Sequence, residues 1–194
     1  MNVQMIISGV GGQGILLLTR IFSALALKEG LSIIGSEDHG MSQRGGSVLT
    51  HLKIGNFRSP LVKRGDADIL ISLEKNEAYR TLSYIRPSLQ GREGGLCFIN
   101  APDPDFLNKN IKEYLKEKGI GVFVFWASKL AMDMGLVQST NIALIGFATS
   151  HPRFPFSYEK MKDAVIEVTP SKFHEINIRI LEKAFLEGKN SMAF

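Results

Sequence analysis

Residues 36–48 read Ser-Glu-Asp-His-Gly-Met-Ser-Gln-Arg-Gly-Gly-Ser-Val, a mixture that a plain connecting segment does not need. Two carboxylates (Glu37, Asp38), His39, Gln43, Arg44 and three glycines share one stretch with no apolar periodicity. Arg44 followed by Gly45 and Gly46 suits an anion, because a guanidinium is a planar donor fork and glycines expose backbone N–H groups. Gln43 can donate and accept. His39 can donate to a carbonyl or relay a proton. Glu37 can hold His39 or Arg44, and Ser47 adds a hydroxyl. An interface loop whose polar groups satisfy one another or a partner chain is the other reading of the same residues. Either way, the segment lacks a nucleophile, and His39, His51, His151 and His174 show no metal-ligand spacing, so no metal site is expected.

The chain opens with a second chemical signal, Gly-Val-Gly-Gly-Gln-Gly at 9–14. Gly9, Gly11 and Gly14 fit G-x-G-x-x-G between an apolar run and a helical pattern, and Glu37 and Asp38 follow a little over 20 residues later. Such glycines let a backbone approach a phosphate closely at a helix N-terminus. Three readings fit: tight helix-on-strand packing, a phosphate contact through Gly9, Gly11, Gly12, Gln13 and Gly14, or NAD binding. Against the last, the second strand runs into the long polar segment, and no Ser-x-x-x-Tyr-x-x-x-Lys set follows.

The elements that must position these residues read as α/β. Val3–Ser8 is a buried strand, residues 12–29 a helix ended by Gly30, and Leu31–Ile34 a strand. A β-α-β unit of this kind implies a parallel pair with a right-handed crossover. Alternation over 48–54, the Gly55-Asn56 punctuation and a return over 57–62 predict a β-hairpin excursion. Strands follow at 68–73, 96–100 and 122–126, with helices at 74–84, 106–118 and 158–168. Residues 141–148 predict a buried helix, and 170–187 a last helix with Thr169 as N-cap and Gly188 beyond its end. The sum is a three-layer α/β/α fold with a Rossmann-like start and a mixed, mostly parallel sheet, expected as one domain over residues 1–194.

Composition sets the bounds. The net charge is +4, but Lys and Arg are interleaved with Glu and Asp, which reads as solvated helix faces rather than a nucleic-acid surface. No apolar run is long enough to span a membrane. The single cysteine, Cys97, lies in an apolar run and reads as buried; alone it cannot supply a disulfide or a cluster of thiolates. With no basic leader before the first strand, a cytoplasmic location is expected.

The glycine loop, together with Ser-Glu-x-His-Gly-Met-Ser-Gln-Arg-Gly-Gly-Ser-Val, resembles the small (beta) subunits of indolepyruvate:ferredoxin oxidoreductases and, more broadly, the gamma-type domains of the 2-oxoacid:ferredoxin oxidoreductase family. The resemblance continues through Gly65-Asp-Ala-Asp-Ile-Leu-Ile-Ser-Leu-Glu74, Asn141, Gly146 and the closing helices. It implies a subunit of an enzyme of anaerobic metabolism that oxidatively decarboxylates a 2-oxoacid, inactive in isolation. Coenzyme A takes the acyl group and ferredoxin the electrons. Thiamine diphosphate, Mg and 4Fe-4S clusters are expected in a large partner subunit, and none on this chain alone. The chain agrees in showing no Gly-Asp-Gly…Asn thiamine motif. The His-Gly-Met-Ser-Gln-Arg form points to the aryl-pyruvate branch. On this reading Arg44 is an anion contact, for example to a coenzyme A phosphate, and His39 a polar contact to substrate or partner.

Overall fold

The first strand, β1 (Val3–Val10), is apolar on both faces and sits inside a sheet. The computed structural model describes residues 1–40 and 45–191. Among them the other strands are β2 (Ile33–His39), β3 (Ser47–Ile54), β4 (Ile69–Ser72), β5 (Leu96–Asn100) and β6 (Gly121–Phe125). They form one sheet in the order β2-β3-β1-β4-β5-β6. Pairing is parallel from β1 through β6, and β3 runs antiparallel to both of its neighbours.

Side chains alternate across the sheet and feed two cores, as the two-residue period of a strand requires. Met5, Ile7, Leu52, Ile71 and Phe98 face α1 (Ile15–Lys28), α4 (Ala127–Asp133), α5 (Thr140–Thr149), α6 (Tyr158–Val168) and α7 (His174–Ser191). Ile6, Leu70, Cys97 and Ile99 face α2 (Lys75–Thr81) and α3 (Lys109–Glu117). This is the three-layer, mixed and mostly parallel α/β/α arrangement expected from the sequence. All ten residues of α5 are buried, and α7 crosses it so closely that a Cβ on Gly146 would lie 2.5 Å from the Leu181 carbonyl. Helix α1 ends at Gly30 in the left-handed region (φ 66°), as expected.

The connections differ from expectation in four places. The first β-α-β unit does not make an adjacent pair, because β3 lies between β1 and β2. The hairpin is formed by β2 and β3, not by β3 and residues 57–62. Both edges of β3 are taken by β1 and β2, so a returning strand has no edge to pair with, and Pro60 lacks the N–H a ladder needs. Half of the polar segment is therefore strand, since Ser36, Glu37, Asp38 and His39 pair with His51, Thr50, Leu49 and Val48. Backbone pairing along β3 overrides their weak strand propensity. Finally, α7 begins at His174 after a 3-10 turn over Ser171–Phe173, and Gly188 is a buried residue inside it rather than a residue past its end. Helix α4 carries no clear periodic signal. It is started by Asn100, whose Oδ1 accepts from the Ser128 amide at 3.1 Å.

Candidate functional site

The carboxyl end of β1 turns sharply into α1, and the turn is closed by its own glutamine. Gln13 Oε1 accepts from the Val10 amide at 2.9 Å, and the Gln13 amide donates to Val10 O at 3.2 Å. Any side chain on Gly9 would meet that Oε1 at 2.6 Å, so Gly9 makes room for the closure. Gly14 caps α1 in the left-handed region (φ 76°), where only glycine is free of strain. Its carbonyl accepts from Leu18 N at 3.2 Å and from Nδ2 of Asn141, a fully buried residue, at 3.0 Å. Among the described residues the N–H groups of residues 15–17 have no backbone carbonyl partner, which leaves the positive end of α1 at the sheet's carboxyl edge.

The second motif comes to the same place. The Gly11 amide donates to Gly46 O at 2.9 Å, and the Gly40 amide donates to Ser47 O at 2.8 Å. Gly45 stands at φ 75°. Ser47 Oγ donates to Glu77 Oε2 at 2.5 Å. Glu77, on α2, is buried and has Arg80 Nη1 3.6 Å from its Oε1. Gln43 and Arg44 lie outside the described residues. Of the expected site residues, Gly9, Gly11, Gly12, Gln13, Gly14, Gly45, Gly46 and Ser47 thus meet in one corner.

Glu37 and His39 stand one strand further out. They share a face of β2, with His39 Nε2 3.4 Å from Glu37 Oε2, and His39 is exposed. Glu37, Thr19, Ser23 and Thr50 line a small polar depression of about 270 Å³ between α1 and the β2–β3 ribbon. Thr50 is fully buried there, and among the described residues its hydroxyl has no partner. Asp38 points to the opposite face, where its Oδ2 lies 3.7 Å from Nε2 of the buried His51. Burial pushes the His51 pKa below its usual value, against the opposing pull of Asp38. Its Nδ1 accepts from the Val62 amide at 3.1 Å.

A dinucleotide fingerprint needs its acidic strand beside the first one. With β3 between them, Glu37 is two strands, about 10 Å, from β1. Among the described residues no group of three or more His, Cys, Asp and Glu could hold a metal ion. Cys97 is fully buried, and burial pushes its thiol far up. One buried thiol cannot supply the several thiolates that an iron–sulfur cluster takes. Sequence reading missed Glu77 and Thr50 as parts of this region. Glu77 carries one faint signal, a carboxylate inside a short helix whose next residue, Ala78, is core.

With this geometry, residues 4–187 match the model of the pyruvate ferredoxin/flavodoxin oxidoreductase family, and the chain belongs to that family. Among its relatives, the indolepyruvate oxidoreductase subunit IorB of Pyrococcus horikoshii is 36% identical over 202 residues, covering 97% of each chain. The solved gamma subunit of the keto/oxoacid ferredoxin oxidoreductase from Geobacter sulfurreducens superposes with a TM-score of 0.70 at 22% identity, over 96% of this chain and 98% of that one. The 2-oxoglutarate:ferredoxin oxidoreductase of Magnetococcus marinus, solved with 2-oxoglutarate, coenzyme A and succinyl-CoA, superposes with a TM-score of 0.73 at 18% identity. The match takes 97% of this chain and 31% of that one.

Proposed function

We propose that this chain, folded as one domain over residues 1–194, is the small subunit of a 2-oxoacid:ferredoxin oxidoreductase acting on indolepyruvate and related aryl pyruvates. The observation that carries the reading is the Gly11–Gly46 bond, which joins the two motifs into one backbone-lined corner at the carboxyl edge of the sheet. Family membership and the name of the Pyrococcus relative support it.

The chain's part is to bind and orient. The N-terminus of α1 and the Gly45–Gly46 amides attract a phosphate. Arg44, which precedes Gly45 in the sequence, supplies a planar cation, and the group that fits is a phosphate of coenzyme A. His39 is a polar contact to substrate or to the partner. Leu16, on the first turn of α1, and Val137, just before α5, are exposed apolar side chains, suited to a large partner subunit. Thiamine diphosphate with Mg in that partner supplies the decarboxylation chemistry, and its 4Fe-4S clusters supply the route of electrons to ferredoxin.

The test is anaerobic reconstitution with the partner subunit. Indolepyruvate- and coenzyme A-dependent reduction of ferredoxin is expected only with both chains present. Arg44→Ala should lower turnover at limiting coenzyme A about tenfold, the scale of one lost charge-assisted contact. Unchanged turnover and coenzyme A dependence would refute the anion role. Tight calorimetric binding of NADH to the chain alone would favour a nucleotide-binding module instead.

A further inference from the structure

We infer that Glu77 is the positioning residue that holds the Gly45–Gly46–Ser47 corner in its binding shape, an inference that rests on the coenzyme A reading above. Two adjacent glycines have no side chains to anchor and lose more backbone freedom on ordering than any other residues. Their shape must therefore be imposed from outside. Three bonds do so: Gly11 N to Gly46 O, Gly40 N to Ser47 O, and Ser47 Oγ to Glu77 Oε2. The first two are neutral backbone bonds. The third is made to a carboxylate, and bonds of that kind are shorter and about twice as strong.

The environment of Glu77 argues that the carboxylate is kept for this contact. Glu77 is 7% exposed, beside the core residues Ala78 and Leu82 of its own chain segment. A carboxylate in such a place costs free energy unless it is paired, and an apolar residue would pack there at no such cost. Its partners are Ser47 and the exposed Arg80. The helix beneath it is pinned in turn. Thr81 Oγ1 donates to Glu77 O at 2.7 Å and lies 3.2 Å from Ser8 Oγ, which donates to Ser72 Oγ at 2.9 Å. This buried run of hydroxyls ties α2 to the ends of β1 and β4, so Glu77 presents its carboxylate from a fixed base. Gly11 holds the corner from the glycine-loop side and Glu77 from the α2 side.

The experiment uses Glu77→Ala, Glu77→Gln, Ser47→Ala and the double alanine variant, in the complex for kinetics and in the full-length chain for amide exchange. Ser47→Ala removes one hydroxyl and leaves α2 intact, so it decides the matter if Glu77→Ala does not fold. KM for coenzyme A should rise about tenfold in either alanine variant, with kcat within about twofold. The double variant should be no worse than either single one, as for two ends of one bond. Glu77→Gln, whose carbonyl still accepts the hydroxyl, should stay within about threefold of wild type. Exchange of the Gly11 and Gly40 amides should quicken in the alanine variants and not in Glu77→Gln. Wild-type KM and exchange in Ser47→Ala, or strictly additive effects in the double variant, would overturn the inference. A wild-type complex with no coenzyme A-dependent turnover would sink the functional reading instead, and amide exchange would still decide the role of Glu77.

Discussion

The two ends of the sheet handle polar groups in opposite ways. Where the parallel strands begin, Asp68 accepts from Arg86 Nε at 2.6 Å, from Arg92 Nη2 at 2.8 Å and from the Gln4 amide at 2.8 Å. Beside it, Arg153 Nε lies 2.8 Å from Glu93 Oε2. Each of these charges has an opposite charge in reach. Where the same strands finish, the groups are backbone amides, hydroxyls, the exposed Glu37–His39 pair and the buried Glu77, whose carboxylate is taken by Ser47 with Arg80 beside it. There the first turn of α1 keeps donors in hand by helix geometry alone. The contrast separates charge that closes a fold from polarity that is left over for a ligand. Asp68 stands inside the Gly65–Glu74 stretch that carries the family resemblance, yet its bonds are spent within the chain.

The largest effect should come from breaking the closed end. Asp68→Ala leaves Arg86, with a side chain only 15% exposed, without its carboxylate. Removing one partner of such a pair costs about 3–5 kcal/mol, which urea unfolding will read as a lower midpoint. KM for coenzyme A should stay at the wild-type value. A KM shift as large as the stability loss would erase the distinction between the two ends.

Asn141→Ala should cost less in stability and more in binding. The Asn141 amide is the tertiary partner of Gly14 O, and the residue is fully buried, so its loss should destabilise by about 1–2 kcal/mol. Because Gly14 caps α1, the orphan donors of that helix lose their aim. KM for coenzyme A should rise several-fold, while Asp68→Ala leaves it alone. Equal KM values in the two variants would show that the open end is no more coupled to the ligand than the closed one.

Much of this was legible in the chain, and the misses share a physical cause. Apolar runs such as 96–100 and amphipathic ones such as 158–168 declare themselves, because burial depends on local period. The two motifs could be seen, but not that they touch. The contact is a backbone bond between Gly11 and Gly46, and backbone bonds leave no mark on residue type. The true hairpin is hidden in the sequence for a similar reason. Residues 36–39 become strand through pairing with 48–51, a tertiary choice that their polar side chains conceal. Glu77 gives little sign of its role in the sequence, because a glutamate on a helix is ordinarily a solvated one, and only the fold shows it buried against Ser47.

The smallest expected effect is a pH dependence that sits between the two ends. His51 packs edge-on against Tyr84 with ring centroids 5.4 Å apart, behind the β2–β3 ribbon. Burial lowers its pKa, so the folded state binds its proton less readily than the unfolded chain does. The unfolded chain takes up that proton at about pH 6.5, and folding must then exclude it. Stability contributed by the neutral ring is complete above that value and is lost as pH falls toward the folded pKa. His151, also lowered by burial first, adds in the same direction from the other side of the sheet. The urea midpoint should therefore drop between pH 7.5 and pH 5.5, and His51→Asn should flatten part of that drop. Asp38 opposes the shift, so Asp38→Asn should steepen it. The same midpoint drop in wild type and in His51→Asn would show that the buried His51 ring contributes nothing to the pH dependence.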